Sequence, residues 1–279
     1  MPYLETNTAS ANSNISIYYE DSGSGKPIVL VHGWPLSGDM WEYQVPALVD
    51  AGYRVITYDR RGFGKSSRPF DGYTYDSMSQ DLNNLIKELD LKDVTLIGFS
   101  MGGGELGKYV EMFGTDNLAH LIFVSSIAPF MLKTNDNPDG VPSDVFEGMK
   151  DGVKKDRAGF LQEFGKNFLN YKDNQETISQ GMLDHSFNIA VSASPKGTLD
   201  CIDAFGKTDL RAAMKKIDVP TLFIHGDADA VVPPAPTSKQ GHEMVANSTL
   251  EMFKNAPHGL YLTHTEQLNT TVLNFLKEK

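Results

Sequence analysis

The stretch VTLIGFSMGG, residues 94–103, decides how the chain is read. Its first half is an unbroken apolar run, the pattern of a strand buried on both faces of a parallel sheet. Its second half, Gly98-Phe99-Ser100-Met101-Gly102, has the G-x-S-x-G spacing of a strand–turn–helix elbow. So sharp a junction leaves no room for side chains at 98 and 102, which explains the glycines. The bare pattern arises by chance in a glycine-rich chain, and its weight comes from its place behind a buried strand and ahead of a helical stretch. The bend lifts the Ser100 hydroxyl above the sheet, beside the free N–H groups and positive dipole end of the helix, which suit developing negative charge.

On either side the chain alternates strand-like and helix-like runs. Residues 15–19 and 27–31 read as a hairpin pair joined by the turn Asp21-Ser22-Gly23-Ser24-Gly25. Residues 53–58 form a third apolar run that ends at Asp59. In residues 76–89, Met78, Leu82, Leu85, Ile86 and Leu89 recur at helical spacing, and residues 118–124 are another strand. This β-α-β-α-β order predicts an α/β fold, a mostly parallel sheet with helices on both faces. The rhythm breaks between 129 and about 214, where helical stretches and prolines replace strands. It resumes with strands at 219–224 and 250–253 and a terminal helix at 265–276. The expected division is an α/β core from residues 1–128 and 215–279, with a helical cap inserted at 129–214.

Composition excludes several classes of function. The 279 residues hold 25 Lys and Arg against 36 Asp and Glu, a net charge of −11, so no basic footprint exists for nucleic acid or anionic lipid. Hydrophobic residues make up 40% and charged residues 22%, enough apolar material for a core. No apolar run approaches the ~18 residues that span a bilayer. The single cysteine, Cys201, excludes an internal disulfide and a Cys-rich zinc site, and reads as a packing residue of the cap. The histidines show no H-x-x-x-H or H-x-H cluster, so no metal is expected. The polar stretch from Met1 to Asn14 lacks the basic-then-apolar signature of a signal peptide, so a soluble, cytoplasmic protein is expected, with homo-oligomerisation left open. Residues 59–66 end like a phosphate loop, but Asp59 stands where its first glycine belongs, so Arg60 and Arg61 are expected to pair with carboxylates instead.

A serine nucleophile needs a base, and the base needs an orienting carboxylate. In elbow hydrolases these follow the serine in the order acid, then histidine. His258, in Ala256-Pro257-His258-Gly259 after the last strand, stands where a base returns to the top of the sheet. The main rival, His264, falls in the first turn of the last helix. Asp227 and Asp229 both follow the strand at 219–224. Asp229, further out in the loop, is favoured as the acid, with Asp227 tying down the turn. The oxyanion donors are expected to be the N–H of Met101 and the N–H of Trp34, in Val31-His32-Gly33-Trp34-Pro35. The Trp34 indole is read as a wall of the acyl pocket and His32 as a structural brace.

Together these residues resemble the α/β-hydrolases, and specifically the bacterial cofactor-free haloperoxidases, also described as perhydrolases and arylesterases. The matching stretches are VHGWPLSGDMWEYQ, YDRRGFGKSSRP, LIGFSMGGGE, VPTLFIHGDADAVVP and APHGLYLTHTEQLN. The resemblance implies the α/β-hydrolase fold, a triad of Ser100, Asp229 and His258, an oxyanion hole from Trp34 and Met101, and no cofactor. It also implies hydrolysis of small-molecule esters, with hydrogen peroxide able to replace water and yield a peracid, to which halide oxidation in such proteins is attributed. Proline after the tryptophan is similar to the perhydrolase-type members, so Pro35 is expected to orient the Trp34 carbonyl toward the acyl site. Phe130, Met131, Phe146 and Phe164 are the candidate pocket residues of the cap. Met101 and any pocket methionine are expected to be open to oxidation. Two rivals share the motifs: an amide or lactam hydrolase with the same triad, and a non-catalytic small-molecule receptor. Dehalogenases and many epoxide hydrolases carry Asp where this chain has Ser100.

Overall fold

The computed structural model describes residues 3–6 and 15–278, so most of the polar stretch before Ile15 lies outside the described residues. Eight strands build one sheet: β1 (Tyr3–Thr6), β2 (Ile15–Gly23), β3 (Pro27–Val31), β4 (Arg54–Tyr58), β5 (Val94–Phe99), β6 (Leu118–Val124), β7 (Thr221–Gly226) and β8 (Ser248–Phe253). Their spatial order is β1-β2-β4-β3-β5-β6-β7-β8. Strand β2 runs antiparallel to β1 and β4, and every other pair is parallel. The helices are α1 (Gln44–Asp50), α2 (Tyr75–Glu88), α3 (Met101–Phe113), α4 (Ser143–Phe168), α5 (Gln180–Ser192), α6 (Pro195–Lys207), α7 (Arg211–Met214), α8 (Gln240–Met244), α9 (Leu260–Thr263) and α10 (Thr265–Glu278).

Central β5 is buried along its whole length. Val94 and Leu96 join an apolar cluster with Leu82 and Leu85 of α2 and Leu106 and Val110 of α3. Ile97 and Phe99 join the opposite cluster, with Leu48 of α1 and Leu268 and Val272 of α10. A strand with helices on both faces has no polar side, which explains the continuous apolar run. The helix read at residues 76–89 is α2, started by the Thr74 hydroxyl, which accepts from Ser77 N.

The hairpin expected between residues 15–19 and 27–31 is not formed. Strand β4 lies between them: residues 19–23 of β2 pair with it antiparallel, and β3 pairs with it in parallel. The chain does reverse, but β2 runs on to Gly23, so the reversal falls at residues 24–26 rather than 21–25, and it spans two inter-strand spacings of about 4.8 Å each rather than one. It does so by passing close over the residues leading into β4. A Cβ on Gly23 would lie 2.5 Å from Tyr53 O, and one on Gly25 would lie 2.3 Å from Gly52 O. Turn chemistry encodes the reversal, and the filling of the slot by β4 is a tertiary event.

Residues from α4 and α6 roof the carboxyl ends of the strands, beside Ser100. Helix α4 breaks at Asp156, whose carboxylate accepts from Gly159 N at 2.9 Å and caps the second half. The end of the inserted segment packs differently. Ala213 and Met214 of α7 join the cluster with α2 and α3, against Gly107. Cys201 is buried, and burial pushes its thiol up to about 12, which leaves it unreactive. Among the described residues no helix is long and apolar enough to cross a membrane, and no group of three His, Cys, Asp or Glu could hold a metal ion.

Both arginines of residues 59–66 find carboxylates in the interior. Arg60 pairs with Glu105 and Arg61 with Asp81, each at 2.7 Å and fully buried. Glu105 also accepts from the Tyr58 hydroxyl, so it ties α3 to β4 and to the loop after it. Glu105→Ala would strand the Arg60 guanidinium in a dry interior, where losing one partner of a buried pair costs about 3–5 kcal/mol. A lower denaturant midpoint at unchanged slope is expected. An unchanged midpoint would show that the pair is not a structural tie.

Candidate active site

Ser100 joins β5 to α3 with φ 52° and ψ −118°, a backbone that a non-glycine residue holds at a cost on the order of 1–3 kcal/mol. Its surroundings impose it: Ser100 N donates to Val124 O at 2.9 Å, and Ser100 O accepts from Gly103 N at 3.0 Å. The two elbow glycines are sterically required. A Cβ on Gly98 would lie 2.8 Å from the Gly102 carbonyl carbon, and one on Gly102 would lie 2.3 Å from Val31 O.

The loop after β8 carries His258 to this serine. Its Nε2 lies 2.9 Å from Ser100 Oγ, and its Nδ1 lies 2.7 Å from Asp229 Oδ2. An ionised carboxylate only accepts, so Nδ1 bears the proton and Nε2 is free to accept from the serine hydroxyl. The imidazole is held between Phe99 at 5.1 Å and Phe168 at 4.6 Å, the latter edge-on. The same loop is tied to α4 by Gly259 N, which donates to Phe168 O at 2.8 Å. Neither rival residue takes these contacts. Asp227 accepts from Asn255 N at 2.6 Å, holding the turn, and His264 meets the Thr263 hydroxyl.

Asp229 is fully engaged. Oδ1 accepts from Val231 N at 2.9 Å and Val232 N at 2.8 Å. Oδ2 faces His258 and also His225 Nε2 at 3.1 Å. His225 Nε2 also lies 2.9 Å from Val232 O, an acceptor only, so this nitrogen carries the proton, and Nδ1 accepts from the Ser238 hydroxyl at 2.6 Å. Burial alone would raise the Asp229 pKa. The charge that His258 carries when protonated, and the hydrogen bonds from His225 and His258, outweigh it and hold the carboxyl well below the usual range. His225, at the end of its strand, is a site residue that the sequence reading does not include. The available signal was its i, i+4 spacing to Asp229.

The loop after β3 lies against the nucleophile. A Cβ on Gly33 would lie 2.6 Å from Phe99 Cδ1 and 3.1 Å from Ser100 Cβ, so glycine gives the loop this approach without displacing the Phe99 ring. His32 is the brace the sequence suggested. Its Nε2 accepts from Arg60 N at 2.9 Å, and its carbonyl accepts from Arg60 Nη2 at 2.8 Å. Burial first, and then the Arg60 charge, keep its pKa well below the ordinary value, so it is neutral. Trp34 is pinned by its indole N–H to Thr198 O of α6 at 3.0 Å, and Met101 by its carbonyl to the Tyr75 hydroxyl at 2.9 Å. Both backbone N–H groups thus belong to tightly held residues flanking Ser100.

Comparison with known proteins places the chain in a family. Residues 26–265 match the family described as the alpha/beta hydrolase fold. A putative non-heme chloroperoxidase of Synechocystis sp. is 46% identical over 278 residues, spanning 99% of this chain and 100% of that protein. A bifunctional esterase/perhydrolase of Acinetobacter calcoaceticus is 33% identical over 94% of this chain and 96% of its own. The crystal structure of a bromoperoxidase from Bacillus anthracis superposes with a TM-score of 0.93 at 51% identity, covering 95% of this chain and 97% of that one. This chain is an alpha/beta hydrolase. Within the family it is an enzyme of the non-heme haloperoxidase type.

In this hydrolase Ser100 and His258 open onto a cavity of about 40 Å³, room for only a few water-sized groups. Trp34, Met131, Phe146 and Phe164 line it, together with Met149, Phe205 and Val232 among others. Phe130 does not: its ring lies under the Arg211 guanidinium at 4.9 Å. Pro35, whose bond to Trp34 is cis, lines a different cavity of about 230 Å³ between α4 and α5. That larger cavity touches neither Ser100 nor His258, which both line the smaller one. Phe164 lines both. Phe168, against His258, escaped the sequence reading, although Phe160, Phe164 and Phe168 repeat at the i, i+4 spacing of one helix face.

Proposed function

We propose that this enzyme cleaves small carboxylic esters through an acyl-enzyme on Ser100, and that hydrogen peroxide competes with water for the acyl group. One observation carries the reading: the unbroken hydrogen-bonded chain from Ser100 Oγ through His258 to Asp229, opening onto a small, mostly apolar cavity. His258 takes the serine proton as Oγ attacks the ester carbonyl, and Asp229 stabilises the imidazolium that results. The N–H groups of Trp34 and Met101 receive the oxyanion. His258 returns the proton to the departing alcohol. It then deprotonates water, giving the carboxylic acid, or hydrogen peroxide, giving the peracid. The names of the chloroperoxidase and esterase/perhydrolase relatives support the peroxide branch.

The test is steady-state turnover of phenyl acetate with and without hydrogen peroxide, following phenol release and trapping peracid. Multiple turnovers and peroxide-dependent peracid are expected. A single acylation without turnover would sink the esterase reading, and turnover without peracid would sink the peroxide branch. The small cavity argues for short acyl groups. Phe164→Ala joins it to the 230 Å³ cavity and should shift the octanoate-to-acetate ratio of kcat/KM by about tenfold or more. An unmoved ratio would mean that Phe164 does not bound the acyl site.

A further inference from the structure

We propose that Met131 and Met149 are sites of self-oxidation by which this enzyme limits its own peracid output. The inference rests on the peroxide-accepting reading above. Eleven methionines are spread along the chain. Met131 and Met149 line the cavity that holds Ser100 and His258. Met101 adjoins Ser100 in sequence and was expected, with any pocket methionine, to be open to oxidation, but it is fully buried in the core and does not line that cavity.

Chemistry separates these two thioethers from their neighbours. The rest of the lining is aliphatic and aromatic, apart from Ser100 and His258. A thioether is the soft two-electron reductant among such groups. A peracid freed from Ser100 in a cavity of about 40 Å³ is released in contact with its walls. Its distal oxygen passes to a methionine sulfur: the O–O bond breaks, an S–O bond forms, and the peracid proton moves from that oxygen to the departing carboxylate. The products are the carboxylic acid and methionine sulfoxide, the sulfur oxidised by two electrons and the peroxy group reduced by two. The new sulfoxide oxygen is strongly polar, in an apolar chamber that it also helps to fill. Hydrolysis and perhydrolysis should then decline together, in proportion to peracid turnovers rather than to time.

The experiment is peptide mass mapping of the whole enzyme after defined numbers of turnovers on phenyl acetate with hydrogen peroxide, with peracid formation measured in parallel. Excess free methionine is added to scavenge peracid that reaches bulk solution. Met112, 38% exposed on α3, reports on that bulk oxidant. The expected result is one added oxygen at Met131 or Met149, dependent on ester, absent in Ser100→Ala, and insensitive to a scavenger that protects Met112. The Met131→Leu/Met149→Leu double variant, normalised to its own initial rate, should lose activity per turnover at least about fivefold more slowly. Peracid production with sulfoxide that tracks exposure, Met112 first and scavenger-sensitive throughout, would overturn the inference while leaving the peroxide reading intact. Oxidation by peroxide alone to the same extent would also overturn it. If no peracid forms, both readings fail together.

Discussion

Ser100→Ala is expected to lower kcat for phenyl acetate by about 10⁶-fold while leaving the fold intact. The variant keeps the cavity, His258 and both backbone N–H donors, but it has no atom that can bond to the acyl carbon. What remains is water attack assisted by binding and by the oxyanion donors, worth on the order of 10³–10⁴ over the uncatalysed reaction. The change should be nearly silent in stability. The hydroxyl's hydrogen bond runs to His258, and the strained backbone at this position accepts Ala as readily as Ser. Thermal unfolding alongside single-turnover kinetics separates the two effects. A full rate in Ser100→Ala would remove Ser100 from the mechanism altogether.

Asp229→Asn is expected to lower kcat by about 10⁴-fold, through a tautomer rather than through lost packing. The backbone N–H groups of Val231 and Val232 both point at Oδ1, so an asparagine must leave its oxygen there. Its NH₂ then occupies the Oδ2 position, facing His258 Nδ1 and His225 Nε2. His258 can meet that amide only with the Nδ1 lone pair, which moves its proton to Nε2, against Ser100. A base whose accepting nitrogen is already protonated cannot take the serine proton. Asp229→Asn should therefore lose activity far beyond what its stability change explains.

The same substitution carries a pH signature. Folding holds the Asp229 carboxyl below its ordinary range, so the folded protein binds that proton more weakly than the unfolded chain does. The resulting stability is fully present above the unfolded pKa near ~3.9 and is lost as pH falls toward the depressed folded value. Wild type should lose stability on acidification through this window more steeply than Asp229→Asn. Denaturant midpoints measured at a series of pH values check this, and parallel curves would mean that Asp229 contributes no such linkage.

Much of this was legible in the residue string. The elbow could be read because its demands are local: a continuous apolar strand, glycines where a Cβ would strike backbone 2.3–2.8 Å away, and a helix immediately after. Asp229 could be favoured over Asp227 because it stands further out in the loop they share, and His258 over His264 because it falls in the loop after the last strand rather than in the helix beyond it. The pocket was legible only in part. Of the cap residues read from the sequence, Met131, Phe146 and Phe164 line the cavity beside Ser100, whereas Phe130 faces Arg211, and Pro35 faces another chamber.

What the chain determines by itself is therefore the set of strands and helices, the elbow and the order of its chemical groups. All of these follow from periodicity, turn chemistry and sterics over a few residues. Three things waited on the tertiary structure: the insertion of β4 between β2 and β3, the second histidine on Asp229, and which cap side chains meet Ser100. Each depends on contacts between segments far apart in sequence. Such contacts are selected by the packing of whole faces, and a local pattern that allows several partners cannot choose among them.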